Sequence, residues 1–240
     1  DYLLRILETI HQYFPDIQYI TSYARADSIT RKSPSELRIL REAGLNHIYS
    51  GIETVQTKFW NLLTKGLNAD TADEKWVYGE KRQIWYCRNL FCWGIGGKEL
   101  SEENATRTAE ALNVIRPDFI RVHATGIKPE SKMGEFVREG SFTLQSEEEI
   151  MIEQKRFLQQ LKEMDSYYVN EHIINLLLEV RGNLRTDKEK MLSDINRFLN
   201  LPANEKLLFV IGRRFNIFSC WMIWTIKNYI KKQKELYRKS

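Results

Sequence analysis

The chain has 240 residues, of which 42% are hydrophobic and 28% charged, and its formal net charge is only +4. That balance excludes a disordered or fibrous protein and carries no clear nucleic-acid signal. A chain of this length buries roughly 70 to 75% of the surface its unfolded form exposes, enough for a core without staples.

Three cysteines, Cys87, Cys92 and Cys220, are odd in number and sparse. They argue against a secreted disulfide framework and for a reducing, cytoplasmic setting, and they are too few for a four-cysteine metal cage. The opening DYLLRILETIHQYF has no basic leader, long apolar run or cleavage site, so it does not read as a signal peptide. It also lacks an initiator methionine, and the expectation is that the chain starts inside something larger.

Leu3, Ile6, Leu7 and Ile10 recur at helical spacing, and Pro15-Asp16 ends that helix before the apolar-rich IQYITSYA of residues 17–24. Ser33, Pro34 and Glu36 open a second helix, LRILREAG, which stops at Gly44. Residues 45–52 read as a strand, 56–63 and 70–82 as helices, and IWYCRNLFCW as a strand ending at Gly94. A helix, SEENATRTAEALNVI, then leads through Pro117-Asp118 into the strand FIRVH. Strand and helix alternating over short connections imply parallel strands with crossover helices, so the fold class is α/β.

From about residue 141 the alternation stops. Ser146 caps a long helix with three acids in its first turn, YYVNEHIINLLL is ambiguous between strand and helix, and TDKEKMLSDINRFLNL is a helix closed by Pro202. The expected organisation is a barrel-like domain over 1–140, a helical extension over 141–204 and an apolar, then basic, helix over 205–240. Residues 215–230 contain ten large apolar side chains, but Asn216, Lys227 and Asn228 interrupt them. The run falls short of the roughly 18 to 20 apolar residues a spanning helix requires. It reads as a final helix packed on the barrel. The alternative is weak contact with an anionic membrane surface or a partner through 215–240.

Ligands of parallel α/β sheets sit at the carboxyl ends of the strands, and four such ends are legible. They are Ser22-Tyr23-Ala24-Arg25, Gly51-Ile52-Glu53-Thr54, Gly94-Ile95-Gly96-Gly97 and Arg121-Val122-His123-Ala124. The glycines permit positive φ and close backbone approach, and Ser101 opens a helix whose amides could meet an anion or a nucleotide edge; the alternative is a plain βα turn. Glu53 is suited to ribose hydroxyls or to capping the next helix.

Taken in order, ITSYARADSITRKSPSELRILREAGLNHIYSGIET, LLTKGL, GIGGKELSEENATRTAEALNVIRPDFIRVHATGIKPESKM, GEFVREGSFTLQSEEE and EHIINLLLEVRGNLRTDKEKML resemble the radical S-adenosylmethionine superfamily. The resemblance is to the branch similar to oxygen-independent coproporphyrinogen oxidase, and it covers about residues 2–200. It implies a partial (β/α) barrel with a [4Fe–4S] cluster and S-adenosylmethionine at the carboxyl ends of the strands. Tyr23 and Arg25 then stand where the family contacts the methionine part, although Tyr23 departs from the carboxylate common in relatives. Glu53 stands at the ribose position, and Lys65, twelve residues later, near the carboxylate of S-adenosylmethionine or as an exposed helix-end lysine. Gly94 and Gly96 match the stretch passing the adenine. His123 is either a pocket residue or a satisfied barrel histidine. His172 and Asn175 match a recurring stretch downstream of the barrel, with a structural hydrogen-bond role as the simpler reading.

The superfamily's signature C-x-x-x-C-x-x-C is not in these 240 residues, nor is the glycine-rich strand end that holds the methionine amino group. Cluster iron needs three thiolates. Cys87 and Cys92 are five apart in a strand, so they point to opposite faces, and they read as small hydrophobes rather than ligands. The expected metal-ligand set of this chain is therefore none. Other departures are the missing Ala-Gly helix stop between Trp76 and Trp93, and Arg88 and Asn89 inside a strand that should be buried, where a charge is costly unless paired. The expectation is a fragment or truncated form of a radical enzyme that generates a 5′-deoxyadenosyl radical to abstract hydrogen from an unknown small molecule. The cluster-bearing part would lie before Asp1. The alternative is a non-catalytic scaffold that keeps the barrel walls.

Overall fold

The structure, a computed structural model, describes residues 2–24, 28–29, 31–53 and 86–214, with the backbone alone at 50–53, 86–90 and 214. The expected helices over 56–63 and 70–82, Arg25, Lys65, Cys220 and the tail over 215–240 lie outside the described residues.

The amphipathic opening forms α1 (Tyr2–Tyr13), which buries Leu7. After Pro15-Asp16 comes β1 (Ile20–Ala24), three residues shorter at its start than the apolar pattern suggested. Helix α2 (Pro34–Glu42) begins with a capping box. Ser33 Oγ accepts from the Glu36 amide, and the Glu36 carboxylate accepts from the Ser33 amide at 2.8 Å. Gly44, at φ +98°, turns the chain into β2 (Leu45–Glu53), a conformation that L side chains rarely adopt. The next described element is β3 (Tyr86–Trp93). It is followed by α3 (Ser101–Ile115), β4 (Phe119–Ala124), α4 (Lys132–Arg138) and α5 (Glu147–Gln160). The last helix has a second capping box, built by Ser146 and Glu149.

The segment 141–204, expected to be a helical extension, also adds two strands to the same sheet: β5 (Tyr167–Val169) and β6 (Gly182–Asn183). Burial decides the ambiguity of YYVNEHIINLLL. Tyr168 is fully buried, with its hydroxyl accepting from Gln154 Nε2 at 2.7 Å, and only the extended backbone lets it alternate with outward Tyr167. Burial also pushes the Tyr168 phenol up, so the ring stays neutral. Helix α6 (Lys188–Leu199) follows.

The sheet order is β1-β2-β3-β4-β5-β6, parallel from β1 through β5 and antiparallel only between β5 and β6. Helices cover one face. There Ile120 and Val122 of β4 lie at 0% exposure, as does Leu112 of α3, while Phe91 and Trp93 of β3 are buried, Trp93 edge-on to Phe157 of α5 at 4.9 Å. Each such aliphatic or aromatic side chain contributes about 1.5 to 3 kcal/mol by leaving water. Alternate residues Phe119, Arg121 and His123 are half-buried on the opposite, open face.

A second compact unit begins at Arg197. In its described part the end of α6 meets α7 (Ala203–Arg214) through the rings of Phe198 and Phe209, 5.5 Å apart. Among the described residues no helix is long and apolar enough to cross a membrane.

Strand β5 pairs with β4 only as far as Arg121↔Val169, which leaves the last backbone groups of β4 to other partners. Asn175 supplies them. Its Oδ1 accepts from the Ala124 amide at 2.8 Å and its Nδ2 donates to the Val122 carbonyl at 2.8 Å. One side chain thus continues the ladder where the neighbouring strand has turned away, and Asn170 holds it in place. Replacing Asn175 by Ala orphans two buried backbone groups and should lower stability by about 3 kcal/mol. Urea denaturation checks this, and a loss below about 1 kcal/mol refutes the bridging role.

Candidate functional site

Parallel pairing places the four strand ends on one rim. Tyr23 is the penultimate residue of β1, Glu53 ends β2, Gly94 follows β3 directly, and His123 is the penultimate residue of β4. Glu53 stands in register with Phe91, and Cys92 with His123, so the sequence-derived positions Tyr23, Glu53, Gly94, Gly96 and His123 share that edge. The rim is where the sequence led one to look, but its described side chains are occupied unevenly.

The turn after β3 is buried and internally satisfied. Gly94 has φ +79° and Gly97 φ +63°. A Cβ at Gly94 would stand 3.3 Å from Gln145 Oε1, and one at Gly96 would stand 3.0 Å from the Leu100 carbonyl oxygen, so packing within the protein demands the glycines. The Gly97 amide donates to the Gly94 carbonyl at 3.2 Å, and the Gly94 amide donates to Glu153 Oε2 at 3.3 Å. These two amides face protein acceptors.

Glu153 is the feature that sequence reasoning missed. It projects from the middle of α5 at 0% exposure into the junction of β3 and α3, where it accepts three hydrogen bonds. Asn104 Nδ2 donates at 2.6 Å, Ser101 Oγ at 3.2 Å, and the Gly94 amide completes the set. Gln145 Nε2 donates to Ser101 Oγ at 2.6 Å, and Lys98 on the turn pairs with Glu149 of α5 at 2.9 Å, so the turn is tied twice to the segment ahead of and within α5. Burial pushes the Glu153 carboxyl up to about 6 despite these donors, which favour the charged form. Glu149, by contrast, is held below the usual carboxylate range, first by the Ser146 amide and then by Lys98. The signal for Glu153 in the sequence is only its helical position, one turn beyond Glu149.

On the open face an aromatic and cationic series crosses the strands. The Tyr19 and His47 rings stack at 5.6 Å, Tyr23 and Tyr49 stack at 5.0 Å, and the Arg121 guanidinium lies over the Tyr49 ring at 5.8 Å. His123 Nδ1 lies 3.1 Å from the Ala124 carbonyl oxygen, which can only accept, so Nδ1 carries the hydrogen in the neutral ring. Nε2 is then the acceptor, 3.5 Å from the Cys92 thiol. The His172 ring lies 5.1 Å from that of His123.

Among the described residues no group of three His, Cys, Asp or Glu side chains is arranged to hold a metal ion. Cys92 is buried beside His123, and the two lack the third ligand a cluster needs. The described residues therefore do not fit an iron–sulfur cluster. For S-adenosylmethionine, the described rim offers the exposed Tyr23 ring and half-buried His123, together with the backbone of Glu53.

No protein-family model matches the chain, and no curated protein does. Solved structures do. Elp3 of the archaeon Methanocaldococcus infernus with an N-terminal deletion is similar at a TM-score of 0.53 and 14% identity, over 74% of this chain and 41% of that one. Coproporphyrinogen III oxidase (HemN) from Escherichia coli, a radical SAM enzyme, is similar at 0.49 and 17% identity, over 65% and 36%. The radical S-adenosylmethionine methyltransferase TsrM from Kitasatospora setae gives 0.43 and 16%, over 57% and 27%. The fold is accordingly α/β, a partial (β/α) barrel like the matching part of the Elp3 structure. The chain spans about two-fifths of the length of the Elp3 structure.

Because the folded Glu153 carboxyl binds its proton more tightly than the usual value of 4.5, its contribution to stability is fully present below pH 4.5 and is lost as pH rises through about 6. At roughly 1.4 kcal/mol per pKa unit, the wild-type chain should lose about 2 kcal/mol from this group across that window. Glu153→Gln, which does not titrate, should lack that component. Urea midpoints of both proteins at several pH values give the difference, and parallel curves would refute the assignment.

Proposed function

We propose that this chain is the cofactor- and substrate-facing wall of a radical S-adenosylmethionine enzyme whose cluster thiolates come from sequence outside these 240 residues. The single observation that supports this reading most is the placing of Tyr23, Glu53, the Gly94–Gly97 turn and His123 on one rim of a parallel sheet. On this reading a cluster held by residues outside this sequence would supply the reducing electron for radical hydrogen abstraction from a small molecule. This chain binds and orients the nucleoside and the substrate. Glu53 meets the ribose hydroxyls, Arg25 and Lys65 meet the methionine part, and Gly94 and Gly96 set the depth at which the adenine lies.

The rival reading, a non-catalytic scaffold, is favoured by one observation, the missing cysteine triad. The encoding gene separates the two. A C-x-x-x-C-x-x-C upstream of Asp1 supports the enzyme, and a start codon next to Asp1 supports the scaffold.

Two measurements on the chain itself follow. Equilibrium dialysis with S-adenosylmethionine should give saturable binding that Glu53→Ala weakens at least about tenfold, near 1.4 kcal/mol. Equal uptake by the variant, or none by either protein, overturns the site. Anaerobic treatment with iron and sulfide should leave the 240-residue chain without stoichiometric charge-transfer absorbance, whereas about four irons per chain would show that it carries its own ligand set.

A further inference from the structure

We infer that Arg121, His123 and His172 form a binding site for one anionic group, a carboxylate or a phosphate, on a small organic ligand. The inference stands on the chain's own donors and does not depend on the radical reading.

Arg121 and His123 are two residues apart on β4, so both side chains stand on the open face, half-buried. His172, in the loop after β5, brings its ring to 5.1 Å from His123. Arg121 and His172 supply the donors of this cluster, while the Nε2 of the neutral His123 ring is turned to the Cys92 thiol. The Arg121 guanidinium has the Tyr49 ring beneath it, and no carboxylate among the described side chains pairs with it. His172 Nδ1 accepts from the Ile174 amide at 3.4 Å, which puts the hydrogen of the neutral ring on Nε2.

Among the described residues, the charged and titratable neighbours do not cancel this charge. Glu171 is exposed and pairs with Arg181 at 2.6 Å, the Cys92 thiol faces His123 from β3, and Tyr49 faces Arg121 from β2. The His172 ring is held below its ordinary value by burial first and then by the like charges of His123 and Arg121. Three cationic or cationisable groups held together without a counter-charge among the described residues are costly, and an anion removes that cost while accepting from Arg121 in the planar, two-pronged geometry that a carboxylate or phosphate matches. Beyond the anion, Tyr23 stacks on Tyr49 and is 71% exposed, which gives the rest of the ligand a flat apolar surface.

The test is a titration of the chain with inorganic phosphate and, separately, with benzoate, followed by NMR of the histidine ring protons. A saturable shift of the His123 and His172 signals is expected at a dissociation constant of about 1 mM or tighter, with the His11 signals still. An anion favours the protonated ring, so the apparent pKa of His172 should rise on binding. Tighter binding of phosphate assigns a phosphate ligand, and tighter binding of benzoate assigns an aromatic carboxylate. Arg121→Gln should weaken binding at least about tenfold, and Arg121→Lys, which keeps the charge but not the fork, by an intermediate factor. Should Arg121→Gln not fold, His172→Gln, read on the His123 signals, should weaken the preferred anion at least about threefold. No saturable shift in the wild-type chain with either anion, or binding unchanged within about twofold in a folded variant, overturns the proposal.

Discussion

Parallel strand pairing is the constraint from which the rest of this structure follows. A parallel ladder runs every strand in the same direction, so the carboxyl ends of β1 to β4 fall on one edge although their residues are separated by up to a hundred positions in the chain. Each strand must then be regained by a crossover, and helices returning over the sheet leave one face covered and the other available. That is why Ile120 and Val122 disappear into the core while their neighbours Arg121 and His123 remain accessible. The sheet stops propagating where the pattern fails. Strand β5 is three residues long, β6 runs antiparallel, and the side chain of Asn175 takes over the pairing that a longer strand would have made.

At the same edge a buried acid joins three elements. Glu153 sits where the end of β3, the start of α3 and the middle of α5 meet, and it answers a donor from each side of that junction except its own helix. Placing a carboxylate there costs desolvation, yet an apolar residue would take an acceptor from the Gly94 amide, the Ser101 hydroxyl and the Asn104 amide. The turn is therefore rigid on account of its own hydrogen bonds. Its glycines are needed because Gln145, Ile150 and Leu100 pack where side chains would be.

Much of this was legible from the chain alone, because local signals act locally. Ser33 and Ser146 announced their capping boxes through the glutamate three residues on, Gly44 marked a helix stop, and the apolar run before Gly94 marked a strand. The rim positions followed, since strand ends are visible once strands are. What stayed hidden depends on contacts across distance. Glu153 looks like one more acid on a helix rich in them, and only the packing of α5 against α3 turns it inward. Asn175 bonds to backbone groups about fifty residues earlier, a pairing that no spacing within EHIIN encodes. The Cys92–His123 contact exists because register sets those two residues side by side, whereas in the sequence they belong to separate motifs.

The alternation along β4 divides the strand into two populations with different mutational freedom. Ile120, Val122 and Ala124 are buried on the covered face, where any change of volume disturbs the packing of the core. Phe119, Arg121 and His123 stand on the open face, where Phe119 meets the Tyr167 ring, Arg121 the Tyr49 ring and His123 the His172 ring, so they can be exchanged without repacking the core. A lineage that drifts toward a new ligand can thus rewrite every second residue of this strand while the intervening ones keep the fold intact. Recognition and stability evolve on opposite sides of a single peptide backbone.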